Sequence, residues 1–427
     1  MLLKMIKPIS LLIFASCILA IMPVNAYDFT LSVYGNANMD DIIDECDIEY
    51  LQGIIDGDYE ETEFADANYD GQIDEEDLDY IESIISGDKV KLTLVDNRGV
   101  TVSLDVPVNR VAASFLGALR PVVHIGAIDR IVGMGSKFKT MPNNVVELQA
   151  HPELKDLPGI GSTAEPSQEA IVSLNLDVVL GTGHTDKDVS QAISHNTGTP
   201  FVYANPVGDS FKTEEGAFET WRILGLILGN EDRENAEELI RYCDEKIGVI
   251  EEVISDVPED ERPRVYLSSC CNPDLTSTSK FYEPINIAGG VNVAESLGPD
   301  DWPTDWWGHV EVSKEQIIDW NPDVILINSN SKENNYVTVN EILSYPAYQT
   351  VNAVKHERVY GTKGWYGGWD PATGLCECLY MAKLYYPDKF EDLDVEKECN
   401  AILEEFYDTP QLYDWMLENC GEYYTWK

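Results

Sequence analysis

The chain has 427 residues, with 29 Lys and Arg against 76 Asp and Glu, a formal net charge of −47. That is longer than one ordinary domain, and 44% hydrophobic residues can fill sizeable cores. The acidic balance repels phosphate backbones and excludes nucleic acid as a partner; it fits an exported, solvated surface that attracts cations or a basic partner.

Residues 1–26 read as an export signal. Lys4 and Lys7 supply the positive start, an apolar run extends from Ile9 to Met22, and Val24-Asn25-Ala26 ends in a small residue suited to cleavage. The run is short for a membrane span, and no later stretch reaches about 18 apolar residues. Left uncleaved, it would serve as an anchor; either way the protein is expected outside the cytoplasm or at the cell surface. Cys17 sits inside the apolar run and is not read as a lipid-anchor cysteine. After the signal come Cys46, Cys243, Cys270, Cys271, Cys376, Cys378, Cys399 and Cys420. An even number permits disulfides, and Cys399 with Cys420 could pair. Cys270-Cys271 and Cys376-x-Cys378 are too close for ordinary bridges within themselves. A Cys-x-Cys can hold a soft metal, but no Cys-x-x-Cys motif accompanies it. The remaining reading is buried thiols.

The next segment repeats itself. Asn36, Asn38, Asp40, Ile42, Asp44 and Asp47 recur, 30 positions on, as Asp66, Asn68, Asp70, Gln72, Asp74 and Asp77. Each set offers side-chain oxygens at loop positions 1, 3, 5, 9 and 12 and a backbone carbonyl at 7, from Ile42 or Gln72, a pattern that folds around calcium. Apolar-periodic helices follow: Ile48, Leu51, Ile54, Ile55, then Leu78, Ile81, Ile84, Ile85. Gly71 marks the sharp turn of the second loop; Asp41 stands at that position in the first. Two such units, with Asp at position 12 and no helix before the first, resemble a dockerin module over about 33–87. The resemblance implies two Ca2+ sites and a cohesin-like partner met partly through positions 10 and 11. Here those are Glu45, Cys46, Glu75 and Glu76, not small hydroxyl residues. The segment is expected to act as a calcium-dependent tether, with residues 27–88 as one domain.

Beyond Ser86-Gly87-Asp88 the pattern changes. "KVKLTLVDNRGVTVSLD" alternates about Asn97-Arg98-Gly99, a hairpin signature. Strand and helix periods then alternate through "NRVAASFLGALRPVVHIGAIDRIVGMGS", "EAIVSLNLDVVLGTGH" and "GTPFVYAN", the mark of a parallel α/β sheet. Residues 213–255 read as helical, the later part as one helix of about 25 residues, roughly 37 Å. A second βα set starts at "RVYLSS" and ends in a helix from about Pro371. The expected architecture is α/β: two Rossmann-like lobes bridged by a long rigid helix, with a small all-α EF-hand-like module in front. Lobe one covers about 89–210, the connecting helices 211–258 and lobe two 259–427. A ligand belongs in the cleft between such lobes.

Several phrases in order, "NRVAAS", "PSQEAIVSLNLDVVLG", "RPRVYLSS", "INIAGGVNVA", "VSKEQIIDWNPDVILI" and "AVKHERVYG", make residues 90–427 resemble the substrate-binding component of iron-complex and cobalamin ABC importers. The resemblance implies a monomer that binds a metal chelate (an iron siderophore, haem or a corrinoid) and docks on a membrane permease through one Glu of each lobe, here Glu169 and Glu315. The strand ends and their loops nominate Ser114, Phe115, Lys137 and His184 in lobe one, and Trp302, Trp306, Trp307, His309, Trp365, Tyr366 and Trp369 in lobe two. Flat rings suit a macrocycle or catecholate, and an imidazole can ligate its metal. Two other classes stay open. A surface-assembly protein could have kept the calcium module and lost transport. A metal-cluster oxidoreductase shares the lobes, but the sequence shows no nucleophile elbow, glycine-rich phosphate loop, His-Glu-x-x-His or suitable cysteine cluster. The chain is expected not to be an enzyme.

Overall fold

The computed structural model describes residues 27, 29–141, 145–206, 209–268, 275–297, 309–328, 337–362, 369–420, 423, 424 and 426. The two repeats fold alike. Asp44 and Asp74 cap α1 (Glu45–Ile55) and α2 (Glu75–Ser86), each in a reciprocal capping box with the Asp three residues on. Met39 and Tyr69, at the same loop position, share a left-handed backbone. β1 (Val90–Val95) and β2 (Thr101–Val106) form the expected hairpin. Residues 32–34 join its edge through Val33, paired antiparallel with Leu94.

Lobe one alternates β3 (Val111–Ala113), α3 (Leu116–His124), β4 (Ile131–Met134), α4 (Val146–Ala150), α5 (Gln168–Ser173), β5 (Val178–Gly181), α6 (Lys187–Thr197) and β6 (Phe201–Tyr203). Its sheet is parallel, in the order β4-β3-β5-β6. β3, β5 and β6 are buried at every residue, as strands covered on both faces must be. α7 (Ala217–Leu228) and α8 (Asn230–Ile254) turn about Gly229 at φ +125°. α8 runs 25 residues and buries the stripe Ala236, Leu239, Ile240, Cys243, Ile247, Ile250 and Ile254.

Lobe two follows with β7 (Arg264–Ser268), β8 (Ser277–Ser279), α9 (Glu283–Ile287), β9 (Val291–Asn292), β10 (His309–Glu311), α10 (Lys314–Trp320), β11 (Val324–Asn328), α11 (Val339–Ser344), α12 (Asn352–Lys355) and β12 (Val359–Thr362). Its parallel strands repeat the lobe-one order as β9-β7-β11-β12, with β8 and β10 antiparallel on one edge. α13 (Pro371–Tyr385), α14 (Val395–Tyr407) and α15 (Leu412–Asn419) complete the chain.

α14 packs on α3 and α15 on α4, so the chain's end returns to lobe one. Leu31, Ile43, Leu51, Ile81 and Ile84 share one apolar core with α3, α7, α8 and α13–α15. The outer face of each lobe's sheet has a smaller core of its own.

Candidate functional site

In lobe one the strand order reverses between β3 and β5, and ligands of open parallel sheets bind outside the carboxyl ends at such a point. Ser114 and Phe115 follow β3, Gly135 follows β4, and Thr182-Gly183-His184 follows β5. A Cβ on Gly135 would stand 2.1 Å from the Ser114 carbonyl, so only glycine lets these two loops approach. The turn after it, Ser136–Thr140, carries Lys137.

These residues converge on one ring. Lys137 Nζ lies 5.2 Å over the centre of Phe115, and His184 meets the same ring edge-on at 4.5 Å. Thr182 Oγ1 is 2.8 Å from His184 Nδ1. Burial, and then Lys137, push the His184 imidazole down to about 4, so it is neutral at pH 7. Ser114 is 1% exposed and its hydroxyl has no hydrogen-bond partner. An ammonium and a neutral imidazole therefore flank one ring of a strongly acidic protein. That set suits an anion.

Arg98, which sequence reasoning passed over, adds a second cation. It donates to the Gly183 carbonyl at 3.2 Å and lies 5.4 Å over Tyr203. The hairpin turn was its only sequence signal.

Much of lobe two's contribution falls elsewhere. Trp302, Trp306, Trp307, Trp365 and Tyr366 lie outside the described residues, as do the segments after β7 and β11. His309 opens β10 opposite Ser279. Trp369 is only 5% exposed; its ring meets Phe211 at 5.0 Å and fills the space over Gly374. Its indole offers little surface to a solute.

Glu169 and Glu315 are exposed in the first turns of α5 and α10, two positions after the capping serines Ser167 and Ser313. Each lobe thus presents one exposed carboxylate at a helix start.

The paired loops differ in the middle. In the second, Gly71 at φ +93° turns its N–H to the Asp66 carboxylate at 2.9 Å. In the first, Asp41 is not left-handed, and the Asp40 carbonyl instead accepts from Asn36 Nδ2 at 2.7 Å. Asn36 is fully buried and its Oδ1 has no partner. Burial raises Asp40 and Asp77 and pushes Asp47 up to about 7. Among the described residues no group of three or more His, Cys, Asp or Glu side chains is drawn together as a metal site. The carboxylates turn to their own backbone, for example Asp47 to the N–H of Asn38 and Asp44. An all-oxygen donor set with one orphaned buried oxygen nonetheless fits a hard cation.

The cysteine expectation is corrected. Cys399 does not pair with Cys420; it is a free thiol beside Cys376, each of the two sulfurs 3.7 Å from the other's carbonyl. Cys270 and Cys271 lie outside the described residues.

With this geometry in hand, relatives can be compared. A family model described as periplasmic binding protein matches residues 111–365. The molybdate-binding protein MolA of Haemophilus influenzae is 27% identical over 337 residues, 74% of this chain and 91% of the relative. A solved structure of MolA bound to molybdate aligns with a TM-score of 0.59 at 23% identity, covering 74% of this chain and 98% of that one. The Fe(3+)-citrate-binding protein YfmC of Bacillus subtilis is 24% identical over 48% of this chain and 59% of its own length.

Proposed function

The chain belongs to the periplasmic binding protein family, and on that footing we propose that it is an extracytoplasmic receptor that captures an anionic, metal-bearing solute and delivers it to an ABC permease. The convergence of Lys137 and His184 on Phe115, at the strand-order reversal of lobe one, carries this reading. The named relatives bind molybdate and ferric citrate, both negatively charged metal species. Anionic siderophore complexes and haem belong to the same chemical class. Lys137 binds the anionic rim; neutral His184 accepts or donates without adding charge. Glu169 and Glu315 dock on permease cations. Nothing in this arrangement requires turnover, and the family's role is binding. Among the described residues no helix is long and apolar enough to cross a membrane.

The paired loops are part of the proposal. Asp66, Asn68, Asp70, Gln72, Asp74 and Asp77 would hold one Ca2+ and Asn36, Asn38, Asp40, Ile42, Asp44 and Asp47 a second, with the buried Asn36 Oδ1 supporting the first loop. A dockerin-like use of this segment, with a cohesin-like partner, would act through its exposed residues Glu45, Cys46, Glu75 and Glu76.

Tryptophan fluorescence titrated with molybdate, ferric citrate, a ferric siderophore and haem tests the solute. One of them should bind with a Kd of about 1 μM or below, and Lys137→Met should weaken it at least about 10-fold. Binding of none, or an unchanged affinity in Lys137→Met, would overturn the reading.

A further inference from the structure

Residues 27–88 contain 21 Asp and Glu and no Lys or Arg. Such a body should be repelled by a chain of this charge, yet it is seated on the α7–α8 hairpin. Arg222 of α7, 7% exposed, donates to the Asp41 carbonyl at 2.7 Å and to the Asp41 carboxylate. Its other edge holds Glu237 of α8 at 2.8 and 3.0 Å. The same guanidinium lies 5.2 Å over the Tyr27 ring. Arg233 of α8 donates to the Ile43 carbonyl, and Asn230 to the Ser86 carbonyl at 2.7 Å. Tyr27 donates to the Asp244 carboxylate and meets Phe218 edge-on. The contacts spread from Tyr27 to Ser86, over the whole segment.

α7 shows what this seat is for. It is buried at every position from Ala217 to Leu228 except Leu226. A helix buried on all sides needs a cover on each. Lobe one provides one cover and the N-terminal segment another. The Asp at position 6 of the first loop, where the second has Gly71, is the residue that Arg222 grips.

We infer that residues 27–88 are a fixed third lobe of the solute-binding unit, with the α7–α8 hairpin as their partner surface. Calcium in the loops then stabilises the whole chain, not a separable adaptor. The second statement rests on the calcium reading above. A tether would be free to leave its lobes; this segment leaves a buried guanidinium and the flank of α7 uncovered if it does.

All nine tryptophans lie beyond residue 88, so indole fluorescence follows the α/β body alone. The full chain is unfolded by heat with that signal, in calcium and in EGTA, beside a calorimetric calcium titration. Calcium should raise the indole midpoint by about 3 °C or more. Arg222→Met with Arg233→Met should remove most of that shift while the titration still shows calcium bound. Bound calcium that leaves the parent's midpoint unmoved would overturn the inference. If no calcium binds, the calcium reading has failed on its own. The third lobe is then decided by Arg222→Met: it should lower the indole midpoint and open residues 86–90 to protease under native conditions, and an unchanged midpoint with intact protection would overturn it.

Discussion

Arg120, in α3 of lobe one, donates to the main-chain carbonyl of Trp369 at 3.2 Å, across 249 positions of sequence. Trp369 closes the Gly- and Trp-rich segment of lobe two, and Asp370 behind it caps α13. The contact is backed on both sides. Glu147 pairs with the Arg120 guanidinium in full burial, and Tyr407 of α14 donates to Asp370 at 3.1 Å while standing 3.0 Å from His124 Nε2. A buried polar chain therefore ties α3 and α4 to the start of α13.

Removing one member of a buried ion pair leaves the other charge uncompensated. Arg120→Met is expected to destabilise by about 3–5 kcal/mol. Arg120→Met with Glu147→Gln should recover part of that loss, because the orphaned carboxylate goes too. Urea midpoints of the parent, the two single variants and the double variant measure the coupling. Additive losses would show that the pair acts independently.

His184 sets a pH dependence. Its imidazole is held at about 4 in the folded chain, against an ordinary 6.5, by burial and by Lys137. The unfolded chain therefore takes up this proton first. The contribution is complete above pH 6.5 and is lost as pH falls from 6.5 toward 4. In His184→Gln that loss is absent, so the stability difference between parent and variant should narrow on going from pH 7.5 to pH 5. Urea unfolding at three pH values reads it. Solute affinity should stay level between pH 8 and 6, since the ring does not change charge there.

Local periodicity explains what the sequence could reveal. The stripe from Ala236 to Ile254 marks α8, the repeated Asp and Asn spacing marks both loops, and runs such as Val324–Asn328 mark buried strands. Arg222 to Asp41, Arg120 to Trp369, and Arg98 to Gly183 carry no such signal. Each is one cation in a helix or turn, and its partner lies 181, 249 or 85 positions away. The apolar faces of α1 and α2 were visible, but not the contact of Asp41 with Arg222 of α7. Ser114, Phe115, Lys137 and His184 were legible as strand-end residues. The approach of Lys137 and His184 to the Phe115 ring depends on Gly135, whose role is a close backbone approach to the Ser114 carbonyl.

Glu169 and Glu315 give a prediction that separates docking from binding. Both are exposed in the first turns of helices on different lobes. Charge reversal at each, Glu169→Lys with Glu315→Lys, should leave the solute Kd within about twofold, because exposed single charges contribute little to a distant site. Solute-dependent ATPase of the reconstituted permease should fall at least about 10-fold. A parallel loss of solute affinity would place one of these residues in the cleft instead.

The described thiols predict a graded reactivity. Cys46 is exposed, whereas Cys243, Cys376, Cys378, Cys399 and Cys420 are buried. Burial pushes Cys243, Cys376 and Cys378 well above the ordinary thiol range. Cys46 itself is pushed up to about 11, by partial burial and by Asp44 beside it. The thiolate is the reactive species, so even the exposed thiol is slow at neutral pH. Maleimide labelling followed by peptide mapping should find Cys46 modified first, at a rate that climbs steeply between pH 7 and 9. The buried thiols Cys243, Cys376, Cys378 and Cys399 should label only in denaturant. Native labelling of Cys376 or Cys399 ahead of Cys46 would mean that α13 and α14 separate more readily than their shared core allows.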